Sequence, residues 1–340
     1  MSAKRVILSL CTGLLVAVVV VGGGIAYRMY YDRKVPNFSG EMELYVYPGM
    51  EVPKVCETIL ESGIVKKPAS LERVLKDVGT LKPGHYRIDS TCSSMYVSRM
   101  LHLGWQTPVI LTLSGSIRTP GVLARKIGAQ MMADSAAVAS FACCADSIGL
   151  NPALLFTRII PDSYQMLWTA PVKDIFARLF KERDAWWTAE RVTAASAQGL
   201  TPEEASTLAS IVAGETNYEP EQPAIACVYL NRLKTGMKLQ ADPTVAYCFN
   251  YEPRRILRWM LEVDSPYNTY MNYGLPPGPI CCPPKSCLEA VLNPDKHNYL
   301  YFCADPSFNG SHRFAETYAE HLINARAFQR ALTERTKANQ

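Results

Sequence analysis

Residues 201–216, TPEEASTLASIVAGET, set the reading of the chain. Thr201 is a good N-cap, Pro202 fits the first helical position, and Glu203 and Glu204 sit where acids complement a helix N-terminus. The predicted helix runs apolar from Leu208 to Val212 and then meets Glu215. An acid that ends a very apolar helix segment is a physical signal. Burial disfavours the charged carboxylate and raises its pKa toward the range of a general acid. Taken alone, such a glutamate is more often a solvated helix end.

Outward from this helix, the downstream loops strengthen the reading. Lys238 to Thr244, KLQADPT, places amide, acid and hydroxyl groups in one extended segment. Ser265 to Tyr270, SPYNTY, alternates aromatic and polar groups, and Gly274 to Ile280, GLPPGPI, reads as a rigid turn. Aromatic faces interleaved with amides and short hydroxyls are how sugars are bound. Asn231-Arg232-Leu233 closes a helix that starts near Pro223, either as ligand contacts or as buried scaffold. Upstream, Val172 to Ala195 is helical, with Trp186-Trp187 read as one core and one half-exposed residue rather than a stacking platform.

Composition sets the bounds. A chain of 340 residues predicts about two domains. With 48% hydrophobic and 19% charged residues it is a folded protein, not a disordered one. A net charge of +4 gives no basic stripe, so nucleic acid is not an expected partner. Lys4 and Arg5 precede an uncharged run from Val6 to Ala26, long enough at 1.5 Å per residue to cross a ~30 Å hydrocarbon core. The expectation is a cytoplasmic stub (1–5), one membrane-spanning helix (6–27), a polar linker (28–42) and an extracytoplasmic body. Gly22 to Gly24 keep a cleaved signal peptide as the alternative. Eleven cysteines are scattered without a CxxC pair or zinc spacing. They read as small apolar residues, with one or two disulfides open, and no metal or cofactor is implied.

Between the anchor and the helical region, a strand–turn–helix–turn–helix pattern occurs twice. Glu43–Val46, Val52–Ser62 and a helix capped by Ser70 form the first copy. Val109–Leu113, Pro120–Met131 and a helix capped by Ser135 form the second. Such a unit is similar to a small carbohydrate-binding LysM-like module; coincidence between two ordinary α+β segments is the alternative.

In order along the chain, IVAGET, YLNRLKTGMKLQADPTV, SPYNTYMNYGLPPGPI, the stretch from Leu292 to Asp305, and HRFAETYAEH resemble the MltG (YceG-like) family of endolytic peptidoglycan transglycosylases. Pro161 to Tyr164, PDSY, matches an earlier element of that family. The resemblance covers essentially the whole chain. It implies an α+β protein: an N-terminal transmembrane helix, a LysM-like region over 43–107 and a mixed α/β YceG-type catalytic domain over 108–330, with 108–150 as the candidate second LysM-like unit. It also implies cleavage of the MurNAc-β-1,4-GlcNAc bond in nascent strands with a 1,6-anhydro product, at the inner (cytoplasmic) membrane. Glycan strands are the expected partners, together with the synthases that make them. The catalytic glutamate of the family carries over to Glu215. Gln240, Asp242, Thr244, Tyr267, Asn268, Tyr164 and His312 carry over as candidate substrate-binding residues. Two departures stand out. Ala213-Gly214 lacks a second acid that many relatives carry, and Gly310-Ser311-His312 replaces Gly-Gly-His, so His312 is as readily structural. A non-enzymatic wall-binding scaffold and a muramidase using Asp242 as second carboxylate are the rival readings.

Overall fold

The computed structural model describes residues 3–144, 151–252 and 255–338. The chain forms two compact units, Met1–Ile110 with Gln165–Ala170, and Leu111–Tyr164 with Pro171–Gln340.

The first unit begins with α1 (Ala3–Lys34). Its stretch Leu10–Lys34 is long and apolar enough to cross a membrane, and its apolar window, of mean hydropathy 2.2, is exposed throughout. The helix does not stop at residue 27. Residues 28–34, expected as linker, continue it. The reason is Asp32, which is 7% exposed: its carboxylate accepts hydrogen bonds from Arg73 Nε (3.0 Å) and Nη2 (2.8 Å) and from Ser70 Oγ (2.5 Å). The rest of the expected linker is also packed, since Asn37 and Phe38 are fully buried and Phe38 bridges to Val65. A segment read as polar therefore supplies a core residue and a charged anchor point.

Beyond it, β1 (Met42–Val46) leads to α2 (Val52–Glu61) and α3 (Pro68–Lys76), and β2 (Gly84–Ile88) returns antiparallel to β1 with Leu44 opposite Tyr86. Alternation along β1 buries Leu44 and Val46 against Val55, Ile59, Leu71 and Leu75 of the two helices. Helix α4 (Ser94–Leu103) closes the unit, capped by Ser93, whose Oγ accepts from Tyr96 N at 3.2 Å. Ser70 is not the cap of α3. It lies inside the helix, buried, and its hydroxyl is shared between Asp32 and Ser94.

The strands β3 (Val109–Thr112) and β4 (Ser163–Met166) pair, and between them run α5 (Pro120–Gly128) and α6 (Ser135–Cys143). Asp134, not Ser135, caps α6, because its carboxylate reaches Ala137 N at 3.3 Å. Residues 145–150 of the expected second repeat lie outside the described residues. The stretch expected to be helical over 172–195 forms two helices, α7 (Val172–Trp186) and α8 (Ala189–Ala197), the second capped by Thr188. At the break Trp187 is buried and Trp186 half-buried under the Arg191 guanidinium.

Helix α9 (Pro202–Glu215) is the axis of the second unit. All residues from Ala205 to Val212 are buried, so every face of the helix is covered. Around it pack α10 (Gln222–Lys234), α11 (Asp242–Cys248) and α12 (Lys285–Leu292), through Ile225, Tyr229, Leu288 and Val291 among others. The expected rigid turn docks on α9 too: Ile280 N donates to Ser210 Oγ at 2.9 Å. Cys281, Cys282 and Cys287 are buried beside it, and burial pushes their thiols up, so they pack as apolar groups. A hairpin of β5 (Tyr301–Ala304) and β6 (His312–Ala315), followed by α13 (Tyr318–Ala338), ends the unit.

Candidate active site

The expected capping box forms at the start of α9: Glu204 N donates to Thr201 Oγ1 at 3.2 Å, and Thr201 N to Glu204 Oε2 at 2.8 Å. Its other end delivers Glu215, after which Thr216 turns extended (φ −146°). The Glu215 carboxyl is half-buried, and the Tyr229 hydroxyl of α10 donates to its Oε1 at 2.5 Å. Burial raises the Glu215 pKa from an ordinary 4.5 to about 7. The Tyr229 hydrogen bond and the Arg232 guanidinium pull against that rise, while the Asp242 charge adds to it. Arg232 is a fixed cation, since it donates Nε–H to Leu300 O at 2.7 Å and also donates to Leu239 O. A carboxyl near neutrality both gives and takes a proton at physiological pH.

Gly214 explains how Asp242 reaches the same place. A Cβ there would lie 2.5 Å from Pro243 Cβ, so only glycine admits this close approach. Asp242 opens α11, and its Oδ1 accepts from the Tyr270 hydroxyl at 2.6 Å. Glu215 and Asp242 line one groove of about 640 Å³ together with Pro243, Ala246, Tyr251 and two arginines, Arg118 and Arg255. A larger groove, about 770 Å³, lies on the first unit between α2 and α3. Val52, Leu60 and Leu75 line it together with charged side chains such as Glu57, Glu72 and Lys76.

The other predicted residues divide. Gln240 is exposed in a left-handed conformation (φ 49°), its N–H bonded to Thr269 O at 3.1 Å, and it does not line the groove. Tyr267 is half-buried, packed on the Tyr247 ring at 4.5 Å, and is also outside the groove lining. Thr244 and Asn268 cannot touch a sugar in this arrangement, because both are fully buried. Thr244 Oγ1 is spent on Ala241 O (2.7 Å) and Thr269 Oγ1 (2.9 Å), and Asn268 Nδ2 on the carbonyls of Leu261 and Val263. Tyr164 is buried with its hydroxyl donating to Ile160 O. His312 holds the Glu221 carboxylate through both Nδ1 and its backbone N–H, each at 2.9 Å, and so ties β6 to the start of α10. Asn231 and Arg232 are scaffold: Asn231 Nδ2 bonds His297 O and Tyr299 O. Sequence reasoning passed over Tyr229, Tyr270, Arg118, Tyr251 and Arg255. Tyr229 and Arg232 are polar groups one turn apart that follow the apolar run Ala224–Val228 in one helix, which was the available signal.

The second unit thus presents one near-neutral carboxyl, closing a buried helix, at the wall of an open polar groove. The chain belongs to the YceG-like family, whose sequence profile matches residues 44–327. It is 48% identical over 115 residues to a Bacillus subtilis protein named endolytic murein transglycosylase, covering 34% of this chain and 31% of that one. A protein of the same name from Streptococcus pneumoniae is 25% identical over 91% of this chain and 62% of its own length. The chain therefore spans less than two thirds of the curated relatives it matches. The crystal structure of a YceG-like protein from Listeria monocytogenes superposes with a TM-score of 0.56 at 25% identity, covering 83% of this chain and 98% of that one.

Proposed function

We propose that this protein is an endolytic murein transglycosylase with Glu215 as its catalytic acid–base. The observation that carries the reading is the near-neutral, half-buried Glu215 carboxyl held by Tyr229 in an open groove. Glu215 protonates the oxygen leaving from the anomeric carbon of the muramoyl residue. The C6 hydroxyl of the same residue attacks that carbon, and the carboxylate takes its proton, restoring the acid and leaving a 1,6-anhydro end. Because the nucleophile comes from the substrate, one carboxyl serves both steps. Asp242, kept in place by Tyr270, faces the positive charge that develops at the anomeric carbon. Gln240 and Tyr267, which are not fully buried, are the remaining candidate sugar contacts, and Thr244, Asn268, Tyr164 and His312 hold the loops.

The βααβ arrangement of 42–88 supports a LysM-like, glycan-holding role for the first unit. The apolar α1 supports a single-pass anchor with the body outside the cytoplasm, close to newly made strands and the synthases that produce them. Asp242 in the same groove favours one rival, a muramidase in which Asp242 activates water. Product analysis on uncrosslinked glycan separates the two: anhydro ends support the transglycosylase, and reducing ends the hydrolase.

A further inference from the structure

Four charged side chains line the Glu215 groove, and they are not equally engaged. Each carboxyl already accepts a tyrosine hydroxyl, Glu215 from Tyr229 and Asp242 from Tyr270. The two arginines are different. Arg118 stands on the loop between β3 and α5 and Arg255 on the loop after α11; both are exposed. Neither has a hydrogen bond or ion pair to any described residue. Arg118 has one contact that fixes it: its guanidinium carbon lies 4.5 Å from the centroid of the Tyr251 ring. That ring is itself anchored, since the Tyr251 hydroxyl donates to Ile280 O. Stacking on an anchored ring orders a guanidinium yet leaves its N–H donors unspent.

Two like charges in one groove repel, and the hydroxyls and acetamides of a bare glycan require neither. The partner that fits an ordered guanidinium with free donors is a carboxylate. In murein, carboxylates are carried by the peptide on the lactyl group of each muramoyl residue. We propose that Arg118, assisted by Arg255, is a carboxylate subsite that takes the peptide substituent of the muramoyl residue bound beside Glu215. The subsite makes the enzyme select strands that still carry peptides over stripped ones. It rests on the reading of this groove as the glycan-cleaving site.

The test uses uncrosslinked strands in three forms: with native peptides, with the peptide carboxylates amidated, and stripped of peptides by an amidase. The full-length protein is expected to show a kcat/KM about tenfold higher for native strands than for either other form. Arg118→Gln is expected to bring that ratio close to one, chiefly through KM, and Arg118→Lys to restore part of it. An unchanged ratio in Arg118→Gln, or equal cleavage of all three forms by the unaltered protein, overturns the subsite. Binding of the same strands to Glu215→Gln protein reads the subsite without cleavage. Preference for native strands there, with no anhydro ends from the unaltered protein, would sink the catalytic reading and leave the carboxylate subsite standing. Absence of preference there, with anhydro ends formed, would do the reverse.

Discussion

Tyr229 donates its hydroxyl hydrogen to Glu215 Oε1 across 2.5 Å, joining the last residue of α9 to the middle of α10. Burial and the nearby Glu215 carboxyl push the Tyr229 phenol well up, so it stays a donor at every working pH. The bond stabilises the carboxylate and opposes the upward pull of burial on Glu215. Tyr229→Phe is therefore expected to raise the Glu215 pKa further and move the alkaline limb of the kcat/KM profile to higher pH. A loss of about tenfold in rate should accompany the shift. A pH–rate series on both proteins checks it; a limb that stays in place or moves down argues against the coupling.

Stability gives an independent handle on the same group. Glu215 has a folded pKa of about 7 against an ordinary 4.5. The folded state thus keeps a proton that the unfolded chain loses between those values, and stability conferred below pH 4.5 is lost as pH rises through 7. Glu215→Gln removes the ionisation. The variant should gain on the unaltered protein across that window, by about 2–3 kcal/mol at pH 8. Denaturant midpoints at pH 5 and pH 8 measure the gain, which should be small at the first and large at the second.

Gly214 sets the distance between the two carboxyl-bearing segments. Gly214→Ala would drive a methyl against Pro243, backbone-linked to Asp242, and is expected to cost about 1–3 kcal/mol. Activity should fall more than stability alone explains, because α11 must shift. Thermal unfolding compared with kcat on the same preparation separates the two effects.

In the first unit, Arg73→Leu leaves the Asp32 carboxylate with Ser70 alone. Removing the guanidinium leaves a buried carboxylate without its charge partner. A loss of about 1–3 kcal/mol is expected at pH 7 in detergent, read from denaturant midpoints of the two proteins.

What the sequence made legible was local. The Thr201–Glu204 box and the acid at the end of an apolar helix both follow from residues within one helix. Tyr229 lies fourteen positions beyond Glu215 and meets it only because α9 and α10 pack together. Thr244, Asn268 and Ser70 misled for a common reason. Buried loops and helix junctions must satisfy their own backbone and polar groups, and the residues that do so are the same short hydroxyls and amides that bind sugars. Arg118 and Arg255 converge from loops 137 positions apart, a pairing no local pattern could reveal.

Cleavage by Glu215 as proposed brings no water oxygen into the product. Full-length protein and its Glu215→Gln variant, incubated with uncrosslinked strands in ¹⁸O-water, test it by mass spectrometry of the released ends. Anhydromuramoyl ends free of ¹⁸O are expected from the unaltered protein and none from the variant. Reducing ends labelled with ¹⁸O, or undiminished cleavage by the variant, would contradict it.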